Sequence, residues 1–275
     1  MMIMDKSRRL EIEKLVDNVR NESNVTDYGF ENIFDALEKL GVKVIRYPIG
    51  KYALLGFSLV KDTDKIIFTN SSSILSREIF TAAHELGHQK LHLSEHGITM
   101  IKDNDLEERY ESETEANYFA ACLLMPDDKV NKFMKLVLND KPPHLWTGWD
   151  IARIQTTFNV SYDMVLYRLK FLGILNESLL NKLYSEKAEK TATRLLTAIS
   201  GNSDLCKAAE KIKIPDEFLE WVITNYHNKL ISEESARKAL SYVKVNLDDL
   251  VFVDEQEQLQ EKEKEELDDL IGRME

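Results

Sequence analysis

Residues 76–93 read SREIFTAAHELGHQKLHL, and residues 111–126 read ESETEANYFAACLLMP. Both carry apolar residues at helical spacing, with Ser76 placed to cap the first and Pro126 to end the second. Inside the first, His84-Glu85-Leu86-Gly87-His88 is an H-E-x-x-H pentad. Residues i and i+4 share one helix face about 6 Å apart along the axis, so both imidazoles can bond one ion. Glu85 then lies near the open side of that ion, where it can take a proton from bound water.

Zinc at a catalytic site takes three protein ligands and keeps an open position. His92 stands at i+8 from His84, about 12 Å along the helix, and cannot meet His84 at one ion. The longer pattern H-E-x-x-H-x-x-G-x-x-H fails too, because Leu91 and Ser94 stand where it needs Gly and His. His92 and His96 are left as supporting, substrate-side or exposed residues, with exposure favoured. The second helix offers a better third ligand in Glu113. Asn117 follows it at i+4 on the same face, placed to hydrogen-bond and orient a ligating His. Glu111 and Glu115 fall on other faces and read as surface charge. Ala116, Ala120 and Ala121 are small, which lets the two helices approach closely.

Before this pair, residues 8–20 and 31–40 have helical periodicity, the latter stopping at Gly41 as a C-cap. GVKVIRYPI, ALLGFSLV and KIIFT then change the period to that of short strands, with Lys61–Asp64 as a hairpin loop between the last two. Residues 103–108 are polar and read as a loop. After Pro126 the pattern is helical throughout, including a helix-turn-helix-like run at 149–175 with its turn at Asn159-Val160-Ser161. Trp146 and Trp149 there read as core. The fold class expected is α+β: a small antiparallel or mixed sheet packed on the pentad-bearing helix, followed by a mostly α-helical C-terminal half. The expected segments are 1–140 for a zincin-like domain, 141–183 for the helix-turn-helix-like element, 184–253 for a helical C-terminal domain and 254–275 for an acidic tail.

Composition narrows the function. The 275 residues carry a net charge of −12, and the tail from Asp254 holds ten acidic against three basic side chains, or −7 of that total. The remaining −5 is ordinary. Between Lys141 and Lys182 there are five basic and three acidic residues, too few positive charges for a phosphate-reading face. Direct nucleic-acid binding is therefore disfavoured, and packing or protein docking is favoured for that element. No apolar run reaches the length of a membrane span, and the N-terminus lacks a signal-peptide core. Cys122 and Cys206 are too few for a disulfide framework, so a cytoplasmic protein with no membrane partner is expected.

FTAAHELGHQKLH at 80–92, followed by ETEANYFAACLLMP at 113–126 and preceded by KIIFTN at 65–70, resembles the ImmA/IrrE family of metallo-endopeptidases. The likeness extends over roughly residues 10–175. It implies His84, His88 and Glu113 as metal ligands, Glu85 as general base and one Zn2+ per chain, another divalent metal being the alternative. It also implies a gluzincin-like core and a protein substrate, namely a helix-turn-helix repressor of a phage or mobile element. The alternatives are a non-proteolytic, metal-containing transcriptional regulator and a toxin–antitoxin-type partner. For the oxyanion, Tyr110, Tyr118 and His92 are the nearby candidates, with structural roles favoured. The strand Lys65–Thr69 is the expected sheet edge for an extended substrate.

Overall fold

In the computed structural model, the described residues are 4–61, 63–93, 98–99 and 106–250. His96, residues 103–105 of the loop expected at 103–108 and the acidic tail 254–275 lie outside them; residues 106–108 of that expected loop are helical. The chain divides into two compact units, Met1–Lys213 and a second that begins at Ile214.

The first unit opens with α1 (Lys6–Glu22) and α2 (Ile33–Lys39), the latter ending before Gly41 at φ 76°. β1 (Val42–Tyr47), β2 (Gly56–Lys61) and β3 (Asp64–Asn70) follow, then α3 (Leu75–Leu91), β4 (Ile98–Thr99) and α4 (Leu106–Leu124). The sheet order is β1-β3-β2-β4, with β1 parallel to β3 and the other pairs antiparallel. This is the mixed sheet expected, but β3 is interior. Both its edges are bonded, to β1 and to β2, so Lys65–Thr69 cannot take a further strand.

One face of the sheet receives α3. Alternation along the strands sends Val44 and Ile67 inward, against Ala82, Ala83 and Leu86 in the same core region. Polar groups fix the helix as well. Glu78, fully buried, takes two hydrogen bonds from Arg46 of β1 at 2.8 and 2.7 Å and one from Thr69 of β3 at 2.9 Å. Arg46 also sits 3.8 Å over the Phe34 ring of α2. Removing one member of such a network leaves an uncompensated buried charge. Gln89 Nε2 donates to the Ile66 carbonyl at 2.9 Å, tying the far end of α3 to β3. The helix starts earlier than the serine signal suggests. Ile74 is its cap, the Leu75 N–H donates to the Lys207 carbonyl at 2.7 Å, and Ser76 lies buried in the first turn.

α4 packs along α3 and begins at Leu106, one turn before Glu111. The approach is close because Gly87 faces Ala116. A Cβ at Gly87 would lie 3.1 Å from the Phe119 ring and 3.2 Å from the Ala116 backbone. Even a methyl group at 87 would require these neighbours to give by a few tenths of an ångström. Pro126 ends α4, and α5 (Asp127–Leu136), α6 (Gly148–Phe158), α7 (Tyr162–Phe171), α8 (Glu177–Lys190) and α9 (Ala192–Ala198) complete the unit. α6 and α7 form the expected helix-turn-helix: Asn159 takes the left-handed conformation at φ 53°, and Ser161 caps α7 through the Met164 N–H. Ile151, Ile154, Phe158, Tyr162, Val165 and Leu169 from this pair are buried. Trp146 is in the core, but Trp149 is half exposed beneath Lys190, whose Nζ lies 5.1 Å from the ring. It falls at the first turn of α6, on the side opposite the buried stripe.

The second unit contains α10 (Glu217–His227), α11 (Glu233–Ser241) and α12 (Leu247–Leu250) around Val222, Ala236, Leu240 and Leu247. Among the described residues, no helix is long and apolar enough to cross a membrane.

Candidate metal centre

α3 and α4 bring His84, His88 and Glu113 together. His88 Nε2 lies 3.0 Å from His84 Nε2. The two carboxylate oxygens of Glu113 lie 3.3 Å from His84 Nε2 and 3.3 Å from His88 Nε2. One ligand atom from each residue falls within a 4.8 Å group that could hold a metal ion. Metal–ligand bonds of about 2.0–2.1 Å set the edge of a zinc tetrahedron at about 3.3 Å. Each separation lies near that edge, with one Glu113 oxygen turned to each imidazole. The donor set, two imidazoles and one carboxylate, is also one that zinc accepts.

Each imidazole is prepared for this arrangement. Burial holds the pKa of both histidines below the ordinary value, that of His88 at about 3, with the charges of His84 and His92 adding to the effect. Both shifts favour the neutral ring, the form whose lone pair a metal needs. His84 Nδ1 lies 3.0 Å from Asn117 Oδ1. Donation of its N–H to that oxygen leaves Nε2 free, so Asn117 stands where an orienting group is needed.

Glu85 is buried on the sheet side of α3. Desolvation pushes its pKa up to about 7, against a hydrogen bond from the Ser58 hydroxyl and with the nearby Glu113 charge adding to the rise. A cation among the three donors would draw it down again. Ser58 belongs to β2, and Gly56 on the same strand allows a close fit: a Cβ there would lie 2.5 Å from Thr81 Cγ2 and 3.6 Å from Glu85 Cγ. The strand beside Glu85 is therefore β2. β4 pairs with it only at Val60 and Lys61. The Asn70 N–H donates to the Leu55 carbonyl, so antiparallel alternation turns the N–H and C=O of Gly56 and Ser58 outward, along an edge that no described strand covers.

The structure corrects one reading of α4. Glu111 is exposed as expected, but Glu115 is largely enclosed, with its side chain 17% accessible. It takes hydrogen bonds from Arg8 Nε at 2.7 Å and Arg8 Nη2 at 2.6 Å, and it lies 3.1 Å from His92 Nε2. The Arg8 bonds hold its pKa below the usual carboxylate range. His92 Nδ1 in turn lies 3.1 Å from His88 Nδ1. His92 is therefore not an exposed histidine at the end of the helix. Tyr118 bonds Glu13 of α1, and Tyr110 is exposed.

A pentad-bearing helix on a mixed sheet, with a glutamate supplied by the next helix, is the architecture of metallopeptidase-like domains. Residues 37–170 match the model of the Peptidase M78 family, described as an IrrE N-terminal-like domain. It is 28% identical over 109 residues to the uncharacterized immunity region protein 2 of Bacillus phage phi105, covering 40% of this chain and 68% of that one. A solved structure, a Mycobacterium tuberculosis transcriptional regulator, aligns with a TM-score of 0.39 at 16% identity. That alignment covers 60% of this chain and 47% of the regulator, so the chain spans about half the length of that protein.

Proposed function

We propose that this chain is a cytoplasmic, zinc-dependent endopeptidase whose substrate is a regulatory protein, a helix-turn-helix repressor of a phage or mobile element. The observation that carries the reading is the set of donor separations, 3.0, 3.3 and 3.3 Å, together with the buried Glu85 next along the helix. His84, His88 and Glu113 would hold the ion, three protein ligands being the number found at catalytic zinc sites, whereas structural zinc sites take four. When bound, zinc polarises the scissile carbonyl and makes water more acidic. Glu85 accepts the proton of the attacking water at its carboxylate and delivers it to the departing amine nitrogen. Ser58 steadies Glu85 in that role. The outward N–H and C=O of Gly56 and Ser58 can pair with an extended substrate chain, a task that falls to β2 and not to β3.

The family, the peptidase geometry and the phage immunity region relative together support a regulatory substrate. Charge on the helix-turn-helix element supports protein contact over direct DNA contact. On α7, Asp163 is paired with Lys187 at 2.6 Å, and Lys170 with Glu177 at 2.6 Å. The test is to incubate the protein with a helix-turn-helix repressor encoded beside its gene and to follow intact masses. Two fragments whose masses sum to the repressor plus one water are expected, and a chelator should abolish them until zinc is restored. An intact repressor in the presence of the zinc-loaded protein would contradict the proposal.

A further inference from the structure

The metal reading leaves three polar side chains unaccounted for, and they form one line. Behind His88, on the side away from the donor group, His88 Nδ1 lies 3.1 Å from His92 Nδ1, and His92 Nε2 lies 3.1 Å from Glu115 Oε2. The Arg8 guanidinium closes the line with a two-pronged contact to Glu115 at 2.7 and 2.6 Å. The proton positions follow from the chemistry. A His88 that gives its Nε2 lone pair to a metal carries its proton on Nδ1 and donates it to His92 Nδ1. His92 then carries its own proton on Nε2 and donates it to the Glu115 carboxylate. Arg8 compensates the charge at the end of the line and fixes the orientation of both carboxylate oxygens.

We infer that His92, Glu115 and Arg8 are positioning residues that set the tautomer, tilt and basicity of His88 as a ligand. The inference rests on the metal reading of the preceding section and deepens it. Arg8 lies on α1, outside the residues matched to the family domain, and contacts α4 across 107 positions of sequence. The first helix therefore takes part in building the metal centre. His84 needs no such line, because Asn117 serves its Nδ1 directly. The two histidines of the pentad are oriented by different means: one by a neighbour on α4, the other by a chain ending in a salt bridge.

The test uses the 275-residue protein and its His92→Phe, Glu115→Gln and Arg8→Lys variants. Zinc dissociation constants are measured by chelator competition, visible spectra on the cobalt(II)-loaded forms, and thermal unfolding on the metal-free forms. His92→Phe and Glu115→Gln should each raise the zinc Kd by about 10–100-fold. The double variant should be no weaker than the poorer single, since both break one chain. The cobalt bands should move in both variants, a change that a merely structural role would not produce. Arg8→Lys, which keeps the charge but not the fork, should fall between parent and Glu115→Gln. A parent that binds zinc, with both variants within about twofold of it and unshifted cobalt bands, would overturn this inference alone. A parent that binds neither metal would overturn the metal reading on which it rests.

Discussion

With Glu85 replaced by glutamine, the protein should keep its zinc while peptide-bond cleavage falls by about 10²–10⁴-fold, the contribution of a positioned general base. Glutamine has the shape of glutamate and can still meet the Ser58 hydroxyl, so the strand–helix contact survives. It has no site that can take a proton near neutral pH. The substitution also removes an ionisable group from a buried position, so it should not destabilise the fold. Zinc content by elemental analysis and initial cleavage rates, measured on the same preparation, separate the two roles. Unchanged cleavage would remove Glu85 as the base, and lost zinc would mean that it holds the metal instead.

Glu113→Ala should have the larger effect on metal binding. His84 and His88 alone leave two donors 3.0 Å apart, with no other candidate ligand grouped with them among the described residues. The zinc Kd should rise by more than about 100-fold, beyond the span that orienting groups command. By linkage, at saturating zinc the stabilisation that the metal gives the folded state should fall by about 2.7 kcal/mol or more for that change. The shift of the unfolding temperature on adding zinc should shrink correspondingly. An affinity equal to the parent's would discard Glu113 as a ligand. The same measurement on Glu111→Ala, a residue exposed on another face, should show no change.

The sequence reveals the parts of this site that local geometry dictates. His84 and His88 share a face because helices turn every 3.6 residues. Glu113 and Asn117 follow on the next helix by the same arithmetic, and the run of small residues marks where the two helices approach. The α+β class shows in the change of period between residues 41 and 76. What it hides depends on pairings across the chain. Strand order is set by packing, so β3, which precedes the pentad helix, passes for an edge, while the uncovered stretch among the described residues is 56–58 of β2. Glu115 reads as surface charge on its own helix because its partner Arg8 comes from α1. His92 lies too far along the helix from His84 to share an ion with it, and its contact is with the other histidine. Trp149 fails for a smaller reason: apolar size does not say on which side of the first turn a residue falls.

The central claim is that one metal ion sits among His84, His88 and Glu113. A crystal structure of the zinc-soaked protein, with data collected on both sides of the zinc absorption edge, tests it most directly. The account predicts a single strong anomalous peak per chain, about 2.0–2.2 Å from His84 Nε2, His88 Nε2 and a Glu113 carboxylate oxygen. Its fourth position should be held by no protein atom. An anomalous peak elsewhere, or none at a zinc concentration that saturates the protein in solution, would contradict the account.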